Sequence, residues 1–442
     1  MPATPLPFYS DRELEALAER GVRLPGPGRV AVGRDVPLER IAAGAVLHPF
    51  TRITGARTRI DAGAQIGPGG PATLDNAWIG AGAVVGALGP VTLRESAAGP
   101  GTVLGCGVAE EAVFLGQEGG APGFTTGYGF RARKGTLYEE DANSAQHTDT
   151  KMTVLMPWVA LGSNVNWCDI LVAGGTGPGL GEFTEVGSGC VHFNFTPRGD
   201  KATGSALGSA VDGVFLDRPR LFVGGNGSLV GPLAADFGAV TLAGGRYTRR
   251  LAPGLNAADP APPGLELDLD LYGSVKRVFD SQVHLIGELA ALDAWYGHVR
   301  SALARGRPER EELYRRGREA VRRNLTERIG QLEALAGRME RSAGLLERRA
   351  PGDARIPQQR ALAAAWPAVN SHLQGFDRAP EPPPEFLRAV ERAAAGSAAY
   401  TSAVAALPAE ARVAGRGWLA AVKGRVATPE LLARVPALTS AR

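Results

Sequence analysis

Aliphatic residues recur every six positions through the N-terminal half of the chain. They run Ile41, Leu47 and Ile53, slip by one residue to Ile60 and Ile66, and resume as Ile79, Val85, Val91, Ala97 and Val103. On an α-helix, anchors six apart would differ by about 600° and scatter round the axis. The spacing instead suits a short strand, a bend and the next short strand, with each anchor pointing into a shared core. Small or turn-prone residues follow the anchors, as in Ile66-Gly67, Ile79-Gly80-Ala81-Gly82 and Val85-Gly86, and 60 glycines are available for the corners. After an interruption the phase returns at Leu155 and Leu161, Val186 and His192, then Val223, Leu229 and Ala235. A solenoid is therefore expected over residues 30–250, with a large loop insertion near 117–153.

Both ends read differently. Ser10 and Glu13 form a capping box for a short helix that Gly21 would terminate, so residues 1–29 are expected to cap the open edge of the first coil. Residues 251–268, rich in Pro and Ala, read as a linker. Beyond them Leu325, Ile329, Leu332, Ala336 and Met339 make a stripe at three-and-four spacing, which predicts an α-helical domain over 269–442. Long helices are expected over 275–305 and 309–348, with shorter ones after Gln358, Pro384 and Pro408. The Arg-rich runs alternate with Glu and read as a solvated helix face.

Composition narrows the function classes. Lys plus Arg at 48 against Asp plus Glu at 45 leaves a formal +3, too small a surplus to argue for nucleic acid or an anionic membrane. Cys106, Cys168 and Cys190 form neither a disulfide framework nor a CxxC pair, which fits a reducing compartment. The start lacks a signal-peptide pattern, and no apolar run reaches about 18 residues, so a cytoplasmic protein is expected.

The ordered set EVGSGCVHFNFTPRGDKAT (Glu185 to Thr203), LFVGGNGSLVGP (Leu221 to Pro232) and TLAGG (Thr241 to Gly245) carries a resemblance. It resembles the acetyltransferase half of the bifunctional glucosamine-1-phosphate acetyltransferase/N-acetylglucosamine-1-phosphate uridyltransferase, one of the hexapeptide-repeat acyltransferases. The resemblance implies an all-β left-handed parallel β-helix with three hexapeptides per triangular coil. It also implies that Ser188, Asn194, Phe195, Gly225 and Ala243 line acetyl-CoA, and that Lys201 meets the phosphate of a sugar phosphate; the alternative for Lys201 is a solvated loop lysine, and Arg198 and Asn194 are further candidate substrate contacts. An ammonium point charge suits a phosphate. Only about 30 residues precede the first coil, so no uridyltransferase domain is expected.

Acyl transfer to an amine needs a general base, usually histidine. The family's histidine would fall near Trp167-Cys168-Asp169-Ile170-Leu171, where there is none. The candidates are His147, with Asp149 and Lys151 close behind it, and His192. Lys151 would be a second anion contact. His192 sits in an aliphatic anchor phase, so it is either a base or a core residue. The run GFTTGYGFRARKG brings Phe124, Tyr128, Phe130, Arg131, Arg133 and Lys134 together, for a nucleotide contact or for packing on a neighbouring subunit. No P-loop is present, LVAGGTGPGLG lacks the Arg and Lys that would hold a triphosphate, and no metal-site spacing is convincing, so no metal is expected.

The expected function is an acyl-CoA-dependent transferase, with acetyl-CoA as cosubstrate, acting on an amino sugar phosphate or nucleotide sugar in the chemistry of UDP-N-acetylglucosamine biosynthesis. The resemblance implies a homotrimer with sites between adjacent β-helices; neither nucleic acid nor membrane is an expected partner. The alternative is a non-catalytic β-helix that binds a nucleotide sugar or serves as an oligomeric scaffold.

Overall fold

The computed structural model describes residues 8–119, 123–194, 196–260, 268–273, 275–426, 431 and 435. Short parallel strands stack coil on coil, for about 12 turns, into a β-solenoid followed by a helical region. Three ladders give it three faces. Face I carries Thr51–Thr54, Ala72–Asp75 and Val91–Arg94. Face II carries Arg59–Ile60, Trp78–Ile79 and Ala97–Ala98. Face III carries Val46–Leu47, Gln65–Ile66 and Val84–Val85.

Each ladder lines up one inward residue per coil. On face I the interior column reads Val32, Ile53, Leu74, Leu93, Ala109, Ala132, Thr150, Trp167, His192, Leu229 and Tyr247, all buried. A fully buried aliphatic of this kind contributes about 1.5–3 kcal/mol.

From Trp78–Ile79 onward, face II is apolar on both sides. Its inward residues Ile60, Ile79, Phe114, Leu155 and Val172 join the solenoid core. Its outward residues Trp78, Ala97, Val113, Leu137, Val154, Leu171 and Ala206 belong to the hydrophobic core of the helices. Parallel strands covered on both faces read as continuous apolar pairs, as in Leu137-Tyr138 and Leu171-Val172.

The helices are α1 (Asp11–Glu19), α2 (Ala210–Gly213), α3 (Val275–Trp295), α4 (Ser301–Ala304), α5 (Pro308–Arg349), α6 (Arg355–Leu373), α7 (Pro384–Gly396), α8 (Tyr400–Ala405) and α9 (Ala409–Val426). A π-helical turn, Tyr296–Arg300, joins α3 to α4. In α1 the Ser10 N–H donates to Glu13 Oε2 at 2.8 Å, and Leu14 and Leu17 plug the first coils. Gly21 at φ +88° follows the helix, as its sequence predicts. α5 runs along the edge between faces I and II: Arg323 meets Glu111, Asn324 donates to the Gly135 carbonyl at 2.8 Å, and Arg328 meets Asp169.

Three expectations change. The stretch expected as an insertion near 117–153 contains regular strands, Thr126–Ala132, Leu137–Tyr138, Asn143–Ser144 and Asp149–Leu155. The coils there are uneven, since Val113 pairs with Leu137 whereas Gln65 pairs with Val84, and this variation hides the period. Ala97 and Val103 were expected as anchors, but Ala98 and Leu104 point inward in their place. The solenoid also continues into the expected linker, because Gly254–Asn256 pairs with Ala239–Thr241. Residues 261–267 of that linker, most of 427–442 and residues 1–7 lie outside the described residues.

Candidate functional site

Among the described residues, no hydrogen bond or ion pair from the helices beyond residue 275 reaches the edge between faces III and I. His147 lies on it in the left-handed region, at φ +55°, where a corner turns the chain from Ser144 to Asp149. Its N–H donates to the Tyr128 carbonyl at 2.7 Å, and its exposed ring meets that of Tyr128 edge-on at 5.9 Å. Tyr128 in turn stands opposite Cys106 in the ladder. Each is flanked by glycines, and a β-bulge between Cys106 and Gly107 shifts the register at this point. Bulges re-aim side chains and are over-represented beside active sites. Gly129, at φ +75°, is required here: a Cβ would sit 2.4 Å from His147 Nδ1.

The same edge continues through small residues. Ser163 donates its hydroxyl to Gln146 at 2.7 Å and its N–H to Ser188 Oγ at 3.1 Å. The Asn226 N–H reaches the Ser188 carbonyl at 2.6 Å, and the Gly244 N–H reaches that of Gly225 at 2.8 Å. Ser188 and Ala243 are exposed and Gly225 is half-buried. The structure therefore brings His147, Ser188, Gly225 and Ala243 to one solvent-facing edge.

It places Asn194, Arg198, Lys201, Lys151 and His192 elsewhere. Asn194 Nδ2 donates to Asp169 Oδ2 at 2.5 Å, and Arg328 Nη2 donates to Asp169 Oδ1 at 2.5 Å, on the edge between faces I and II. The loop beyond Asn194 is held by α5: Arg328 donates to the Lys201 carbonyl at 3.1 Å and Arg338 to the Arg198 carbonyl at 2.8 Å. The Arg198 guanidinium stacks on Tyr272 at 5.5 Å, while Lys201 is exposed. Lys151 stands opposite Cys168 on face I, and Asp149 pairs with Arg133 at 2.8 Å instead of orienting His147. Phe195 lies outside the described residues. Of the aromatics at 124–130, Phe130 is buried in the solenoid core and Phe124 and Tyr128 are exposed.

His192 takes its interior reading. Its Nδ1 donates to the Cys168 carbonyl at 2.6 Å, and its Nε2 accepts from Ser205 Oγ at 2.7 Å. The Ser205 oxygen accepts the Leu233 N–H at 3.0 Å, so the network closes on a neutral imidazole. Burial pushes the imidazole pKa down to about 4. A ring 3% exposed with both nitrogens engaged has no route to a substrate.

Sequence reasoning missed a polar centre at the edge between faces II and III. Glu140 takes both prongs of Arg300, at 2.6 and 2.9 Å, and Glu139 accepts the Tyr296 hydroxyl at 2.6 Å. The Arg300 guanidinium lies 3.7 Å from the Tyr400 ring centroid. The available signal was the run Glu139-Glu140-Asp141 at a solenoid corner, where three consecutive acids need partners. A groove of about 930 Å³ also opens between the early coils and α5, over Trp78, and its guanidinium and carboxylate groups largely pair with one another.

Among the described residues no group of three His, Cys, Asp or Glu is placed to hold a metal, and no helix is long and apolar enough to cross a membrane. No protein-family model matches the chain, and no curated protein matches it.

Proposed function

We propose that the chain is an acyl-CoA-dependent transferase, with acetyl-CoA as donor and an amino sugar phosphate or nucleotide sugar as acceptor. The observation that carries this reading is the exposed edge that holds His147 together with Ser188, Gly225 and Ala243, with His147 one position beyond the column that Ser188 and Gly225 share. Small residues along that edge leave room for a pantetheine arm. An amine attacking the thioester carbonyl must lose a proton, and His147 is the base that solvent and substrate can reach. Tyr128 fixes the imidazole from one side. Lys201 and Arg198 lie on a different edge of the same chain, so a homotrimer that sets one copy's lysine loop against the next copy's His147 edge belongs to the reading.

A second reading, a non-catalytic solenoid that binds a nucleotide sugar, is favoured by one observation. Asn194 and the loop after it are tied down by Asp169, Arg328 and Arg338, as in a structural element. Calorimetry with acetyl-CoA, followed by amino-sugar phosphates and UDP-sugars with thiol release monitored, separates the two. CoA binding with thiol release supports the transferase. Binding of a UDP-sugar without CoA binding supports the second reading.

A further inference from the structure

We propose that the buried centre of Glu139, Tyr296 and Arg300 is a proton-operated latch between solenoid and helical domain: a proton on Glu139 clamps the helices onto the edge between faces II and III, and its loss loosens them.

Among the described residues, Glu139 and Glu140 share the one buried guanidinium of Arg300. Glu139, Glu140, Asp141 and Glu118 come from the solenoid edge, Tyr296 and Arg300 from the π-helical turn, Tyr314 and Arg310 from α5, and Tyr400 from the start of α8. Glu118 is already spent capping α8, through the N–H groups of Tyr400 and Thr401. Arg300 is the fully buried guanidinium here, and it gives both prongs to Glu140. Glu139 receives only a 3.2 Å contact from Arg300 and the Tyr296 hydroxyl, and its Oε2 is buried with no hydrogen-bond partner among the described residues. An ionised carboxylate so placed is poorly compensated, and taking up a proton removes the cost. Burial, aided by Glu140 and opposed by Arg300, pushes its carboxyl up to about 7 from 4.5. π-helical turns are rare and concentrate where a helix performs a task, and this one carries both side chains of the clasp.

The sign follows from linkage. The closed centre keeps the Glu139 proton up to about 7, whereas an opened one releases it near 4.5, so closure is strongest below 4.5 and weakens as pH rises through that window. The test is hydrogen exchange read by mass spectrometry on peptides spanning 296–304 and 137–141, corrected for intrinsic rates. Protection should fall roughly tenfold or more between about pH 5.5 and about pH 8.5. Glu139→Gln should abolish the fall while solenoid strands distant from the centre keep their protection. Equal protection at both pH values, or a fall that survives in Glu139→Gln, overturns the latch. If Glu139→Gln lacks the native circular dichroism, Tyr296→Phe decides. Loss of a donor to the carboxylate should move the transition to higher pH, and an unmoved midpoint overturns the proposal.

Discussion

Arg328 on α5 reaches Asp169 on the solenoid across 2.5 Å, with 2% of one side chain and 5% of the other exposed. Asp169 sits in the left-handed region at φ +61°, which Asn tolerates better than most residues. Removing one partner of such a pair strands a buried charge. Arg328→Met should therefore cost about 3–5 kcal/mol in urea unfolding. The double variant Asp169→Asn with Arg328→Met should recover most of that loss. A double variant no more stable than Arg328→Met would show that packing, not charge, is what Arg328 supplies.

His192 gives the fold an acid limit. In the folded state it stays unprotonated down to about 4, while the unfolded chain takes the proton near 6.5. Its contribution is fully present above 6.5 and is lost as pH falls through that window, by up to about 3 kcal/mol. His192→Leu should flatten this part of the stability curve. It should also cost about 1–3 kcal/mol at neutral pH, because the Cys168 carbonyl and Ser205 lose their partner. An undiminished acid slope in the variant would place its origin in another group.

Gly129 sets the position of His147. Gly129→Ala puts a methyl 2.4 Å from the imidazole Nδ1, too close for both to stay, at a backbone angle that disfavours any side chain. The variant should lose about 1 kcal/mol of stability and a much larger share of acyl transfer. Full turnover would mean that His147 need not hold its place beside Tyr128.

The period of six was legible because one interior column per face demands an apolar residue each coil, and Leu47, Ile66 and Val85 supply it. The same rule identified His192 as a residue in core phase, and its placement obeys the phase. Edges carry no such constraint. The sequence therefore did not reveal that Lys201 and Asn194 turn a different corner from Ser188 and His147. The cover on face II was legible in principle, since Ala97-Ala98, Val113-Phe114, Leu137-Tyr138 and Leu171-Val172 are apolar at both positions. Searching for a single anchor per strand discards the second residue of each pair, and that residue is the one that meets the helices. The Arg300 centre joins residues more than 150 apart in sequence, at 139 and 296, so only the acidic triplet at one end could be seen.

Thiol release from acetyl-CoA by the unmodified protein and by His147→Ala, with the acceptor that calorimetry identifies, tests the central claim most directly. The prediction is turnover in the former, a loss of about 10²–10⁴-fold in the variant, and unchanged thermal unfolding, because His147 is exposed. Turnover retained in His147→Ala, or none in the unmodified protein while a UDP-sugar binds, would contradict it.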